Sequence, residues 1–299
     1  MKQNKIDLFL DSGAYSAFTQ NVQIDIREYI SFIKEHQDCI NVYANLDVIG
    51  SAEGTWKNQL IMEKAGLKPL PVYHFKEPIA WLLKYLDRGY DYLAIGGLVK
   101  AGNILPFLDE IFMKHLCASS GIPKLKIHGF GLTSLKLMLR YPWYSVDSTS
   151  WVMTGRMGSI FMPSMRGGKF IYDENSWKIV VSNRSPANKE AGKHFTTLTK
   201  LEKKVVERYL DEKGYRMGRS EFKKVNQPYE LQENERWADN KPKSKTVTRE
   251  VEVIEESGIS NRYQLRDEMN IIYFLDLEKS MPEWPWPFKV NHGMVGMVA

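Results

Sequence analysis

Short apolar runs alternate with longer amphipathic stretches through the first half of this chain, and that alternation limits the fold more than any other feature. The apolar runs predict strands over residues 6–10, 40–46, 69–75, 92–98, 124–130 and 144–147. The stretches between them predict helices over residues 26–36, 55–66, 79–89, 104–117 and 134–140. A regular series of strand–helix units, repeating roughly every 25 residues, indicates a parallel sheet. We expect a TIM-like (β/α) barrel, with a doubly wound open sheet as the alternative.

The pattern changes after Trp151. Short strands joined by turns are predicted over residues 159–182, and a basic amphipathic helix over residues 196–214. A polar loop over residues 226–249 and a further helix over residues 261–279 follow, and three prolines exclude regular structure over residues 282–288. We therefore expect a barrel core over residues 1–183. A basic helical extension over residues 184–299 would complete or cover it.

Composition limits the class of protein. The chain has 299 residues, of which 43% are hydrophobic, and no apolar run is long enough to span a membrane. The N-terminus lacks the features of a signal peptide, so a cytoplasmic protein is expected. The two cysteines, Cys39 and Cys117, supply neither a disulfide framework nor a zinc pattern. No metal and no cofactor are expected.

Positive charge is concentrated in one part of the chain. The net charge is +5, but residues 184–249 alone hold 17 Lys and Arg against 10 Asp and Glu. Such asymmetry is typical of a face that binds a polyanion such as nucleic acid. A solvated helical surface explains the same charges equally well.

Polar residues or glycines follow nearly every predicted strand. Three of them are aspartates: Asp11, Asp47 and Asp147. In a barrel the carboxyl ends of the strands share one face, so these carboxyls are expected to meet there. Each aspartate alone could instead cap a loop or helix. Clustered carboxylates also suit Mg²⁺, but no further acidic residue adjoins them, which favours recognition of a base.

Other residues at the strand ends have two interpretations each. The glycines at 96 and 97 let a flat ligand approach the backbone, or simply form a turn. His128 is either a catalytic base or a hydrogen-bonded histidine at a strand end, and His74 is interpreted in the same way. Tyr15 either stacks on a base or packs in the core.

In order and spacing, four motifs resemble the tRNA-guanine transglycosylase superfamily. The matching residues are Asp11-Ser12-Gly13-Ala14-Tyr15, Gly96-Gly97-Leu98, Gly129-Phe130-Gly131, and Asp147 followed by Gly155-Arg156. The resemblance covers roughly residues 6–158. It implies a (β/α) barrel that exchanges one base in a nucleic acid for another.

The resemblance also implies roles for individual residues. Asp147 would be the nucleophile, Asp11 the general acid and base, and Asp47 the residue that reads the base. Further base-binding residues would be Tyr15, Gly96, Gly97, Leu98, His128 and Gly129. Arg156 would hold the nucleic-acid backbone.

The chain departs from the tRNA enzymes of the superfamily in two features, which narrows the choice of nucleic-acid substrate. The cysteine-rich zinc site of the tRNA enzymes is missing, and Ser150-Trp151-Val152 stands in place of a Pro-Thr-Arg stretch. The chain is therefore most similar to the phage and bacterial DNA-guanine transglycosylases of the DpdA type, which insert 7-deazaguanines such as preQ0 into DNA. A phage enzyme of this type would act in the host cytoplasm.

Three other functions remain open. The first is a transglycosylase that acts on tRNA. The second is a barrel glycoside or phosphoester hydrolase that uses the same acids. The third is a non-catalytic nucleic-acid-binding protein that uses the basic segment over residues 200–219.

Overall fold

The computed structural model describes residues 8–99, 102–132, 134–172, 175–184, 192–238 and 248–288. The chain forms two compact units. The first comprises residues 1–148 together with residues 282–299, and the second comprises residues 149–281. The division at 148/149 differs from the boundary at 183/184 expected from the sequence, because the short strands after residue 158 pair and pack within the second unit.

Parallel strands in chain order form the sheet of the first unit. They are β1 (Leu8–Leu10), β2 (Ile40–Tyr43), β3 (Val72–His74), β4 (Tyr92–Gly96), β5 (Lys126–Gly129) and β6 (Ser145–Val146). β1 pairs with β2, and β3 to β6 pair in sequence. A parallel bridge between Ala44 and Leu70 joins the two groups. The mixed α/β class and the parallel sheet are confirmed, but the described strands do not close into a ring.

The sheet of the first unit is strongly curved. The Phe9 ring on β1 stacks on the His128 ring on β5, with ring centroids 4.4 Å apart. In a flat sheet, four strand spacings of about 4.8 Å would separate these strands by about 19 Å. Phe9 also packs against a core cluster that contains Val72 and Ala94. Side chains on the concave face therefore meet across the sheet.

Helices follow the strands of the first unit. They are α1 (Ala14–Thr19), α2 (Ile26–Glu35), α3 (Ala52–Lys64), α4 (Ile79–Asp87), α5 (Leu105–Ile111), which continues into a π-helical turn (Phe112–Leu116), and α6 (Leu135–Arg140). In α2 the buried Tyr29 and Ile33 are four residues apart and so lie on one face. The Asp25 side chain caps this helix by accepting a hydrogen bond from the Arg27 amide at 2.6 Å. The five helices expected from the sequence all form, within two or three residues of their predicted starts.

The second unit combines helices with antiparallel strands. Its elements are α7 (Ser150–Arg156), β7 (Ser159–Met162), β8 (Ser164–Arg166), β9 (Lys169–Ile171), β10 (Trp177–Val180), α8 (Lys200–Glu212), β11 (Arg219–Asn226), β12 (Glu235–Trp237), β13 (Thr248–Glu256) and α9 (Tyr263–Ser280). The described part of the expected helical extension therefore also contains a three-stranded sheet, in the order β11-β13-β12. The sequence predicted only a loop over residues 226–249, whose positions 239–247 lie outside the described residues.

The central strand of that sheet, β13, was not predicted from the sequence because charged side chains interrupt its apolar residues. In β13, Val251 and Val253 alternate with Glu250 and Glu252, and Ile254 then breaks the alternation, so the apolar repeat is short and diluted. The two long helices expected over residues 196–214 and 261–279 do form, as α8 and α9. Within the described segments no helix has both the length and the apolar character needed to cross a membrane.

The segment that follows α9 returns to the first unit. Trp284 donates a hydrogen bond from its indole nitrogen to the Pro142 carbonyl at 3.2 Å. Phe288 is buried, and its ring stacks on Tyr141 with centroids 5.1 Å apart. The Phe288 amide also donates a hydrogen bond to the Gly121 carbonyl at 2.8 Å, so this irregular, proline-rich segment is fixed both by aromatic packing and by a backbone hydrogen bond.

Candidate active site

Three carboxyl groups meet at the carboxyl ends of the parallel strands. Asp11 directly follows β1, Asp47 lies four residues beyond β2, and Asp147 directly follows β6. Solvent reaches Asp11, but burial raises the pKa of its carboxyl above the ordinary value of 3.8. The negative charges of Asp147 and Asp47 raise that pKa further, against hydrogen bonds from the Gly13 and Ser12 amides. Asp11 therefore lies within electrostatic reach of both other acids.

A buried tyrosine also lies close to this group of acids. The Tyr29 hydroxyl donates a hydrogen bond to the Ala44 carbonyl at 2.9 Å. Burial raises the pKa of Tyr29, and the negative charges of Asp11 and Asp47 raise it further. Tyr29 thus stays protonated as a donor, and its hydroxyl lies within electrostatic range of both Asp11 and Asp47.

Asp47 is held by a histidine from the neighbouring strand end. His74 Nε2 lies 3.1 Å from Asp47 Oδ2, and His74 Nδ1 lies 3.3 Å from Glu77 Oε1. The three side chains are between 12% and 18% exposed. Burial lowers the pKa of His74, but its hydrogen bonds and charge interactions with Asp47 and Glu77 outweigh that effect and raise the pKa to about 10. His74 is therefore an imidazolium at neutral pH.

Asp147 is held mainly by the backbone. Its Oδ1 atom accepts a hydrogen bond from the Gly131 amide at 2.6 Å. His128 Nε2 lies 3.7 Å from the same oxygen, within ion-pair range but beyond hydrogen-bond distance. The side chain of Asp147 is 46% exposed. One oxygen of this carboxyl is thus anchored while the group as a whole stays accessible.

Hydrogen bonds also fix the orientation of His128. Its Nδ1 atom lies 2.7 Å from Ser145 Oγ, which in turn lies 2.5 Å from the Tyr92 hydroxyl. If Tyr92 donates to Ser145 and Ser145 donates to Nδ1, the ring proton remains on Nε2, which faces Asp147. The opposite direction would put an unprotonated nitrogen beside a carboxylate, which is unfavourable.

The ring faces of His128 are covered by protein. The residue is 2% exposed, with Phe9 stacked on the ring and Phe130 against it edge to face. The resemblance implies that this position covers one face of a bound base. In this chain the ring is instead directed by its edge towards Asp147.

Glycines allow close approach at the end of β4. Gly97 has a φ of 72°, a left-handed conformation that other residues rarely adopt. A Cβ atom at Gly96 would lie 2.6 Å from His74 Cδ2. Gly129 is similarly close to the Trp143 ring, while Leu98 is buried in the core. The glycines at 96 and 129 thus make room for neighbouring rings.

Two other residues singled out from the sequence lie outside this group of contacts. Tyr15 lies on α1 and is 60% exposed, so its ring is open to solvent. Arg156 ends α7 in the second unit. Burial raises the pKa of Asp267 there, and the nearby charge of Arg156 opposes that rise.

Sequence reasoning underrated or missed three residues of the site. It gave His74 little weight and did not consider Glu77 or Ser145. The spacing of His74 and Glu77 in one short loop is a usable signal, since residues three apart can share a turn. Ser145 offers no comparable signal, because its partner His128 is 17 positions away on another strand.

Within the described residues, no group of three or more His, Cys, Asp or Glu side chains is arranged to hold a metal ion. A surface hollow lies on α3 and α4, lined in part by Trp56, Lys84 and Arg88. The Lys84 ammonium lies 4.2 Å from the centre of the Trp56 ring, so these two lining residues already form a cation–π contact with each other.

The chemistry available is therefore that of the strand-end cluster. It offers an accessible carboxyl with one anchored oxygen, a second carboxyl with a raised pKa, and a third carboxyl held by an imidazolium. Such a set can attack a carbon centre, move a proton and accept hydrogen bonds from a ligand.

Comparisons of the chain with protein-family models, with curated proteins and with solved structures find no match.

Proposed function

We propose that this chain is a base-exchanging transglycosylase, which replaces guanine in DNA by a 7-deazaguanine such as preQ0. The observation that carries the proposal is that Asp11, Asp47 and Asp147 all lie at the carboxyl ends of parallel strands, where burial and the charges of the other two raise the pKa of the Asp11 carboxyl. These acids come from three different strand ends, and they differ in exposure and in hydrogen bonding. Carboxyls whose environments differ in this way are suited to separate roles in one reaction.

The proposed scaffold is a (β/α) barrel formed by the first unit. Six parallel strands in chain order, and the contact of Phe9 on β1 with His128 on β5, support that geometry. In such barrels the catalytic groups lie at the carboxyl ends of the strands, as the three aspartates do here.

Asp147 is the proposed nucleophile. Its carboxylate attacks C1′ of the target nucleotide, and the bond between C1′ and the guanine nitrogen breaks with its electron pair going to the base. Because the Gly131 amide holds Oδ1, the other oxygen, Oδ2, is the one that forms the bond. The result is a covalent ester between Asp147 and the sugar.

Asp11 is the proposed general acid and base. Its raised pKa favours the protonated form that delivers a proton to the departing guanine. The resulting carboxylate then accepts the proton from the ring nitrogen of the incoming 7-deazaguanine. That nitrogen attacks C1′ and displaces Asp147, so two inversions retain the configuration of the sugar.

Asp47 is the proposed reader of the base. Its largely buried carboxylate can accept hydrogen bonds from the N–H groups on the edge of guanine or of a 7-deazaguanine. The exposed Tyr15 ring is available to stack on that base, and the backbone at Gly97 can approach it closely. In duplex DNA the target nucleotide must first leave the stack, at a cost of a few kcal/mol.

Labelled guanine or preQ0 tests the reaction and the polymer together. The enzyme is incubated with label and either DNA or tRNA, and covalent protein–nucleic-acid adducts are sought by mass spectrometry under denaturing conditions. We expect label to enter DNA and an adduct to form at Asp147. Asp147→Ala should abolish both, while Asp87→Ala, an exposed aspartate on α4, should leave both intact.

Each other outcome points to a different function. Label that enters tRNA alone would make the protein a tRNA transglycosylase. Released base without incorporation would favour a hydrolase built on the same acids. Salt-sensitive nucleic-acid binding that survives loss of Asp11 and Asp147, with no exchange by the wild type, would favour a binding protein. Exchange by Asp147→Ala would contradict the proposed nucleophile.

A further inference from the structure

The loop after β3 folds Glu77 back onto His74. Lys76 adopts a left-handed conformation with a φ of 74°, which is uncommon for a lysine. This turn lets Glu77 Oε2 accept a hydrogen bond from the His74 amide at 3.0 Å, while Oε1 lies 3.3 Å from His74 Nδ1. The loop therefore fixes both the backbone and the ring of His74.

Gly96 leaves the space that the His74 ring occupies. A Cβ atom at position 96 would lie 2.6 Å from His74 Cδ2, closer than real Cβ atoms approach a neighbour, and 3.0 Å from Nε2. A larger residue at position 96 would therefore force the His74 ring or the backbone at position 96 to shift. Gly96 thus has a structural purpose of its own, apart from contact with a ligand.

Both nitrogens of His74 face carboxylate oxygens. Only a doubly protonated ring can donate on both sides, so the geometry itself favours an imidazolium. The charged ring leaves Asp47 with one oxygen, Oδ2, engaged. Within the described residues, Asp47 Oδ1 is buried without a hydrogen-bond partner. A buried, unsatisfied carboxylate oxygen is costly unless a ligand supplies the missing donor.

We propose that His74 is a positioning residue that determines base specificity, because its ring, clamped between Asp47 and Glu77, fixes Asp47 Oδ1 to accept an N–H donor from a purine edge. The inference deepens the proposed base exchange and rests on it. Guanine carries an N–H at ring position 1, whereas adenine has a lone pair there that an ionised carboxylate repels. The site thus selects the lactam form of a purine and excludes adenine.

Binding and kinetics with free purines test the proposal. Affinities of the full-length enzyme for guanine and adenine are measured by calorimetry, together with KM and kcat for guanine exchange into DNA. We expect His74→Gln to raise Kd and KM for guanine on the order of tenfold to a hundredfold. The change in kcat should be much smaller, because Asp147 and Asp11 are untouched. Discrimination against adenine should shrink.

Two further variants and one control sharpen the test. Glu77→Gln and Gly96→Ala should act in the same direction as His74→Gln, since each loosens or displaces the ring. His115→Gln, on the π-helical turn between β4 and β5, should change neither Kd nor KM. Unchanged guanine affinity in a folded His74→Gln enzyme would overturn the proposal.

Nitrogen NMR provides a measurement on the unmodified protein. With ¹⁵N-labelled histidine at pH 8, the His74 ring should show two protonated nitrogens, and a neutral ring would also overturn the proposal. The proposed function fails separately. If the wild type neither exchanges guanine nor binds it, base exchange itself is refuted, whereas exchange that is indifferent to His74 removes only the positioning role.

Discussion

Asp47 and Asp147, the two aspartates whose charges act on Asp11, are held in contrasting ways. The Asp47 side chain is only 12% exposed, and a charged histidine engages one of its oxygens. Asp147 is 46% exposed, and a backbone amide anchors one of its oxygens while His128 approaches it more distantly. Low exposure and a fixed counter-charge suit Asp47 to its proposed role of recognising a ligand. A carboxylate that attacks must keep one oxygen accessible and lightly engaged.

Replacing Asp147 or Asp47 by asparagine should give the largest effects on kinetics and so tests that contrast most strongly. Asp147→Asn should lower kcat by roughly four orders of magnitude, because an amide cannot form the covalent ester. Asp47→Asn should mainly raise KM for guanine, since the loss concerns binding. Steady-state exchange kinetics on both variants decide the matter. If the two variants lose kcat equally, with KM unchanged, the division of roles is refuted.

The central acid should show an opposed effect on activity and stability. Asp11→Asn should lower kcat by about two to four orders of magnitude, because proton transfer is lost. Its raised pKa means that ionised Asp11 destabilises the fold as pH rises through that pKa, so the variant should melt at a higher temperature at neutral pH. Calorimetry checks this, and a lower melting temperature would contradict the crowding of the three acids.

The buried side of the site should have its own dependence of stability on pH. The His74 pKa rises from 6.5 to about 10 on folding, so its contribution is fully present below pH 6.5 and is lost as pH rises through about 10. At pH 6 we expect His74→Gln to lower the free energy of unfolding by on the order of 2 kcal/mol. Denaturant titrations of both proteins between pH 6 and pH 10.5 measure this difference. A gap that stays constant or widens with pH would contradict the imidazolium.

Changes around the exposed Asp147 should affect kcat more weakly than loss of Asp147 itself. Ser145→Ala removes the link between Tyr92 and His128, so the His128 ring loses its orientation towards Asp147. Because the Gly131 amide still anchors Asp147, we expect kcat to fall only about threefold to tenfold. Single-turnover kinetics measure the step directly. A loss as large as that of Asp147→Asn would mean that His128, and not the backbone, sets the reactivity of Asp147.

Much of the first unit could be predicted from the sequence, because its signals are local. Apolar runs of strand length and amphipathic stretches predicted the parallel strands and the helices, and an acid after a strand predicted the position of Asp11, Asp47 and Asp147. Residues that follow successive parallel strands lie at the same edge of the sheet, so chain order alone predicted that these aspartates would be neighbours. Whether the strands form a closed barrel depends on curvature and long-range pairing, which local patterns do not encode.

Other features depend on contacts that the sequence does not mark. The clamp on His74 requires the left-handed turn at Lys76 and the missing side chain at Gly96, which act together only in three dimensions. The sheet around β13 was missed because its few valines are diluted by glutamates. The orientation of His128 depends on Phe9, which is more than a hundred positions away. These features therefore depend on packing between residues far apart in the chain, which local secondary-structure propensity does not reveal.

A carbon NMR titration of the Asp11 side-chain carboxyl in the wild type, in Asp147→Asn and in Asp47→Asn tests directly whether the three carboxyls share one site. We expect the pKa of Asp11 in the wild type to lie above 3.8 and to fall when either neighbour is neutralised, with the greater fall in Asp147→Asn. A pKa that is the same in all three proteins would mean that the carboxyls do not share one site, and the proposed chemistry would have no basis.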